Sequence, residues 1–367
     1  MSVSIGIIGL AKSGRTTVFN ALTKGKAETG TYTPEGVPHI GVTRVPEPRL
    51  KQLVDMLQPQ KIVPAEVTYV DIGASVKDLA KGKTGSSQWL TQLSNVDALI
   101  NVARAFTDES IPHIEGSLDV KRDIASMNLE LAFSDLAIME RRLERIEIAL
   151  KGAKSPERQH LLQEQEMLAR LKVNLEKDLP IRELELTAEE IKTLANYQFL
   201  TAKPLLTVVN IDENQLSEAG SLEAELGAEY QRPKCRLITF CGKLEMELTE
   251  LENSEAEELR VGFGITESGI ERVIKLSYEL LGLISFFSIV SHEVRAWSIR
   301  QGTDALRAAG KIHADMERGF IRAEVISFDD LVKCGNLAEA RKKGLVRLEG
   351  KSYIVQDGDV ITFLFNI

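Results

Sequence analysis

Gly9-Leu10-Ala11-Lys12-Ser13-Gly14-Arg15-Thr16 is the stretch from which the fold is read. It has the GxxxxG spacing and closing hydroxyl residue of a phosphate-binding loop, with Arg15 where the motif carries lysine. Such a loop needs glycines because its backbone wraps closely around phosphate oxygens with amide hydrogens turned inward. An apolar run, Val3-Ser4-Ile5-Gly6-Ile7-Ile8, precedes it, and Thr16-Thr17-Val18-Phe19-Asn20-Ala21-Leu22 follows with apolar residues at helical spacing. Strand, loop and helix are therefore expected in that order. The helix would add its N-terminal dipole to the anion site, and the Thr16 hydroxyl would be offered to a magnesium ion. A dinucleotide fingerprint is excluded, since GxGxxG counted from Gly6 would need glycines at Ile8 and Ala11.

Arg15 is the departure within the loop. Lysine is a compact point charge that reaches terminal phosphates, whereas arginine is a planar fork that needs more room. Nucleotide binding is expected to survive this exchange better than hydrolysis. Lys12 either supplies the charge that Arg15 cannot place or is a solvated surface lysine. Outward from the loop, short apolar runs at 67–70, 98–102, 205–209 and 236–240 alternate with helical patterns such as 49–57. That alternation predicts an α/β domain with a largely parallel sheet. Asp71 closes one strand where a magnesium-holding aspartate would stand, a position a helix cap would also fill. Asn210-Ile211-Asp212-Glu213 follows a later strand, where a side-chain amide can brace the phosphate loop while its neighbours meet the base; an ordinary Asn/Asp turn has the same look.

The middle of the chain changes rhythm. Leu136, Met139, Leu143, Ile146 and Leu150 step by three and four residues, and Leu161, Leu168, Leu171 and Leu175 continue the seam beyond a break at 151–156. Two antiparallel helices forming a coiled-coil hairpin fit this pattern, as do two amphipathic helices lying on the main domain. Strand signals resume at Leu205, so the insertion interrupts one domain. Near the end, Tyr353-Ile354-Val355 and Val360-Ile361-Thr362-Phe363 flank Gln356-Asp357-Gly358-Asp359, a hairpin signal within a small α+β module. The expected organisation is 1–119 with 201–282 as the nucleotide domain, 120–200 as the helical insertion and 283–367 as the C-terminal module.

The 367 residues, 43% hydrophobic and 27% charged, are those of an ordinary globular chain, and the formal charge of −9 argues against a uniformly basic coat for nucleic acid. The charge is uneven, however. Residues 281–367 hold 12 Lys+Arg against 11 Asp+Glu, so the acidic surplus lies upstream. Met1-Ser2-Val3-Ser4-Ile5 lacks the basic start of a secretory signal, and the apolar run 280–290 is too short to span a bilayer. Cys235, Cys241 and Cys334 have no CxxC spacing, against a disulfide framework or zinc ribbon. A cytoplasmic protein without membrane partners is expected.

The sequence resembles the YchF/Obg-like ATPase family over essentially its whole length. The resemblance rests on GLAKSGRTTVFNALT from Gly9, GVTRVPEPRL from Gly41, LTAKPLLTVVNIDE from Leu200, EVRAW from Glu293, AGKIH from Ala309, GFIRAE from Gly319 and YIVQDGDVITFLF from Tyr353. It implies a P-loop G domain interrupted by the helical hairpin and followed by a TGS domain, a ubiquitin-like β-grasp module. It also implies magnesium with bound ATP or GTP, ribosome association, and a preference for ATP, since NxxE (Asn210 and Glu213) stands where GTPases have the guanine-selecting NKxD. Cys241 and Gly242 fall in the family's last base-contacting loop. The implied nucleotide site comprises Gly9, Lys12, Ser13, Gly14, Arg15, Thr16, Thr17, Asn210, Ile211, Glu213, Cys241 and Gly242, with Thr16 and Asp71 on the metal.

The chain departs from the family at several of these places. The loop NVGKS is replaced by Lys12-Ser13-Gly14-Arg15-Thr16. The DxxG glycine after Asp71 is displaced to Gly73, leaving Ala74, and Ser75 stands at the water-positioning place. Glu35 occupies the switch threonine's position, near Thr31 and Thr33, where a carboxylate would repel phosphate. The combined expectation is a nucleotide-binding translation regulator with weakened hydrolysis. A slow working ATPase or GTPase, and a ribosome- or RNA-binding protein with a vestigial site, are the alternatives. Arg295, Arg300, Arg307, Lys311, Arg318 and Arg322, with Arg341, Lys342, Lys343, Arg347 and Lys351 beyond them, are either a solvated surface or contacts to ribosomal RNA. His313 and His292, the latter beside Glu293, read as hydrogen-bonded structural histidines or as a catalytic or metal pair without a third ligand, and Trp297 as a core residue or a ring stacking on RNA.

Overall fold

A computed structural model of the chain describes residues 3–25, 27, 38–72, 86–290 and 292–366. Two compact units result, one of Val3–Val42 with Thr68–Val273 and one of Thr43–Val67 with Ile274–Ile367. The expected switch positions Thr31, Thr33, Glu35, Gly73, Ala74 and Ser75 lie outside the described residues.

The first unit is built on a six-stranded sheet in the order β2-β4-β1-β5-β6-β7. Its strands are β1 (Val3–Ile8), β2 (His39–Arg44), β4 (Glu66–Asp71), β5 (Ala98–Arg104), β6 (Leu205–Asn210) and β7 (Cys235–Phe240). β1, β5, β6 and β7 pair in parallel. All residues of β5 and β6 are buried, as central parallel strands covered on both faces require. This order carries the C-terminal ends of β1, β5 and β6 to one edge of the sheet, where ligands bind in open α/β folds.

Between β5 and β6 the chain leaves the sheet as a helical hairpin, Val120–Leu150 and Glu157–Leu175. Every seam residue expected from the spacing falls in one apolar cluster, with Met139, Ile146, Leu168 and Leu171 fully buried at its centre. The hairpin is rooted by Asp135, whose carboxylate accepts from Leu200 N, Thr201 N and the Thr201 hydroxyl at 2.6–2.9 Å. Burial pushes this carboxyl up to about 6, against the pull of those donors and of Arg182.

The second unit has its own six-stranded sheet, β11-β10-β12-β8-β9-β3. It comprises β3 (Lys61–Val63), β8 (Leu283–Val290), β9 (Glu293–Arg300), β10 (Phe320–Ser327), β11 (Arg347–Glu349) and β12 (Asp359–Phe365). The hairpin expected across Gln356–Asp359 does not form. β12 lies between β10, antiparallel, and β8, parallel, so both its edges are taken. Ile354 instead makes an isolated bridge with Asp304. The Asp359 carboxylate accepts from Gln356 N and the Tyr353 hydroxyl at 2.8 Å, tying the turn without a ladder.

Residues 43–67, which precede Asp71 in the chain, fold with this C-terminal unit. β3 adds in parallel to β9. Helix α2 (Pro48–Leu57) opens with proline behind Glu47, whose side chain accepts from Arg49 N. The Arg49 guanidinium pairs with Glu47 and Asp357 at 2.8 Å each and lies 5.6 Å from the Phe287 ring centroid.

Candidate functional site

The phosphate loop turns between β1 and helix α1 (Arg15–Thr23), and its glycines are fixed by space as well as by torsion. Gly14 has φ 86°, and a Cβ there would stand 2.2 Å from Asn210 Nδ2. A Cβ on Gly9 would meet Val102 O at 2.5 Å. Gly14 is also the N-cap of α1 and offers no side-chain acceptor to the first-turn amides, the groups on which anions bind at helix starts.

Asn210 holds the loop from the end of β6. Its amide donates to Ser13 O at 3.1 Å, and its carbonyl accepts from Gly242 N at 3.0 Å. One side chain thus joins the phosphate loop to the turn after β7. On the other side, the Thr16 hydroxyl donates to Asp71 Oδ2 at 2.9 Å. Asp71 is 1% exposed and its Oδ1 has no hydrogen-bond partner among the described residues; the same is true of the buried Ser13 Oγ. An unsatisfied buried carboxylate oxygen costs about 1–3 kcal/mol or more, which a hydrated cation at Thr16 and Asp71 would relieve. The donor set, one hydroxyl and one carboxylate beside a phosphate cradle, fits magnesium.

Arg15 reaches the backbone just beyond the end of β4. Its guanidinium donates to Ile72 O at 2.8 Å, beside Asp71. Burial draws its pKa down from the ordinary arginine value, with the Asp71 charge opposing. Lys12 is exposed, on left-handed backbone at φ 65°. Thr17 lies in the first turn of α1 with its methyl toward Gly242.

On the base side, the Asp212 carboxylate accepts from Asn214 N at 2.8 Å, capping the short helix that follows it. Glu213 pairs with Lys243 at 3.3 Å. Ile211 is buried beneath this loop, and Cys241, whose thiol is pushed up to about 11 by burial, opens the helix Gly242–Leu248. Two residues outside any motif complete the wall. Phe106 N donates to Asn210 O at 3.1 Å, and the Phe106 ring reaches to 3.6 Å from where a Gly14 Cβ would stand. Arg104, 3% exposed at the end of β5, lies with its guanidinium 4.3 Å from that ring's centroid. The signal for them was a charged residue closing a largely apolar strand, with an aromatic two positions on.

The basic candidates of the second unit do not share one surface. Strand alternation puts Arg295 on the face with Trp297, whose ring centroid lies 3.9 Å from its guanidinium. Ala323 and Val325 belong to the core on that face, so Arg322 points to the opposite one. Arg307 and Lys311 ride on the helix Ala305–Ile312, with Arg307 3.8 Å from Asp304, and Arg318 pairs with Asp315. Arg300 is exposed at the end of β9. Trp297 packs against Phe286 and donates to the Ser288 hydroxyl, and His313 caps a helix by accepting from Asp315 N. Among the described residues no group of His, Cys, Asp and Glu could form a metal cluster, and no helix is long and apolar enough to cross a membrane.

A glycine loop between the first strand and helix, a threonine–aspartate pair beside it and an asparagine bracing it from a later strand define a P-loop G-domain protein. The family model YchF-GTPase_C, described as "Protein of unknown function (DUF933)", matches residues 283–366. The chain is 39% identical over 370 residues to the Ribosome-binding ATPase YchF of Bacillus subtilis (strain 168), and 37% identical over 372 residues to the one of Escherichia coli O157:H7, covering 100% of each. The structure titled "Structure of the Schizosaccharomyces pombe YchF GTPase" matches with TM-score 0.82 at 29% identity, over 99% of this chain and 98% of that one. The chain belongs to the YchF family.

Proposed function

We propose that this protein binds ATP in preference to GTP at the phosphate loop, hydrolyses it weakly, and uses the bound state to regulate its association with the ribosome. The observation that carries the proposal is the Asn210 brace, which holds Ser13 and Gly242 on one side of the glycine loop while the Thr16–Asp71 pair closes the other. Gly9, Ser13, Gly14 and the first turn of α1 cradle the phosphates. Thr16 and Asp71 hold magnesium, which when bound supplies charge neutralisation between the terminal phosphates.

ATP preference is supported by how the acceptors on the base side are used. Guanine selection needs a carboxylate placed to accept from the base edge; here the longer Glu213 stands in that place and pairs with Lys243, while Asp212 caps the following helix through Asn214 N. Weak hydrolysis is supported by Arg15, whose guanidinium donates to the backbone after Asp71, a bond it would have to give up to reach a terminal phosphate. The ribosome is proposed from the names of the full-length relatives together with the basic residues of the C-terminal unit.

Titration calorimetry with ATP and GTP, each with magnesium, tests the binding. ATP is expected to bind more tightly than GTP, and heat from neither would sink the proposal. Steady-state phosphate release from the wild type and Arg15→Lys tests the hydrolysis, with the lysine variant expected to be faster. Equal rates would restore the reading of a working ATPase.

A further inference from the structure

Arg104 is buried to 3% exposure, yet among the described residues it forms no ion pair with a carboxylate. Its Nε donates to Phe106 O at 3.2 Å and its Nη2 to Asp108 O at 3.4 Å. Nη1 has no hydrogen-bond partner among the described residues. Burying a guanidinium for two backbone carbonyls is a poor exchange unless the cation does something more. Its Cζ lies 4.3 Å from the Phe106 ring centroid, within cation–π range. The Phe106 backbone is in turn held by Asn210 O, and its ring edge lies beside Gly14. Arg104, Phe106, Asn210 and Gly14 therefore form one chain of contacts from the end of β5 to the phosphate loop.

We infer that Arg104 is a positioning residue that fixes the Phe106 ring as a wall for the nucleobase, and so sets how much of the binding comes from the base instead of the phosphates. This rests on the nucleotide-binding role proposed above. Both guanidinium bonds go to backbone carbonyls at 106 and 108, so the fork sets the loop's path as well as the ring's tilt. Lysine keeps the charge but loses the plane and the two-point hold.

The test uses the full chain and two ligands that share a phosphate part, ATP and inorganic tripolyphosphate, each with magnesium. Arg104→Lys is expected to weaken ATP roughly tenfold, the scale of one desolvated cation–π contact, while tripolyphosphate affinity stays within about twofold. In a Phe106→Leu background the same exchange should add little to the ATP loss. Since a buried arginine variant can lose stability, Phe106→Leu alone provides a second reading and should show the same ATP-only loss. Unchanged ATP affinity in either single variant, equal losses for both ligands, or additive losses in the double variant would each overturn the inference. A wild type that bound neither ligand would remove the nucleotide site itself, and is distinguished by needing no variant.

Discussion

Asn210 donates to one backbone group and accepts from another, so Asn210→Ala would leave Ser13 O and Gly242 N without partners in a buried setting. Each such group costs about 1–3 kcal/mol, and the loop loses its brace as well. The variant should melt several degrees lower and bind ATP at least about tenfold more weakly, as thermal unfolding and titration would record. Gly14→Ala tests the same contact from the other side. An added Cβ would both collide with Asn210 and hold φ 86° against its preference, so ATP affinity should fall even though the chemical change is one methyl group. Wild-type affinity in Gly14→Ala would show that the loop adjusts without Asn210.

The helical hairpin is held by its seam. Ile146→Ala empties a fully buried position and should cost about 2–5 kcal/mol, read as a lower melting point with the helical signal affected first. Asp135 at its root supplies a pH dependence. Its folded carboxyl titrates about 6, above the ordinary 3.8, so the folded state holds its proton more tightly than the unfolded chain does. Its contribution is therefore full below the unfolded value and is lost as pH rises through about 6. Carbon NMR of the Asp135 carboxyl should give a midpoint near 6, and one near 4 would contradict the buried setting.

Local pattern made much of this legible. The runs 67–70, 98–102, 205–209 and 236–240 became strands, and the leucine spacing gave the hairpin its seam, because burial on both faces or along one stripe writes itself into neighbouring residues. Asn210 and Thr16 were legible from their places after a strand and after the loop. The 353–363 pairing was not, since two strands flanking a turn look alike whether they pair with each other or with more distant partners. Arg104 and Phe106 escaped for a related reason: their role arises from contacts with Asn210 and Gly14, far away in sequence.

At the scale of the whole molecule, the charge distribution bears on partners. Neutralising Arg295, Arg300, Arg307, Lys311, Arg318 and Arg322 together should weaken co-sedimentation with ribosomes and flatten its salt dependence. Sedimentation that kept both its strength and its salt slope would exclude these residues from the contact. Because Arg295 and Arg322 face opposite sides of the sheet, neutralising them separately should identify the side that docks.

The placement of residues 43–67 makes the C-terminal unit a discontinuous domain, one whose pieces are separated by more than 200 residues of another fold. Cleavage at residue 283 therefore cannot release it whole. A fragment 283–367 would present the unpaired edge of β9 and strip Arg49 from the Phe287 ring. Expressed alone it should be aggregation-prone, and supplying a peptide of residues 43–67 should restore its solubility. Equal solubility with and without the peptide would mean that the shorter piece is self-sufficient.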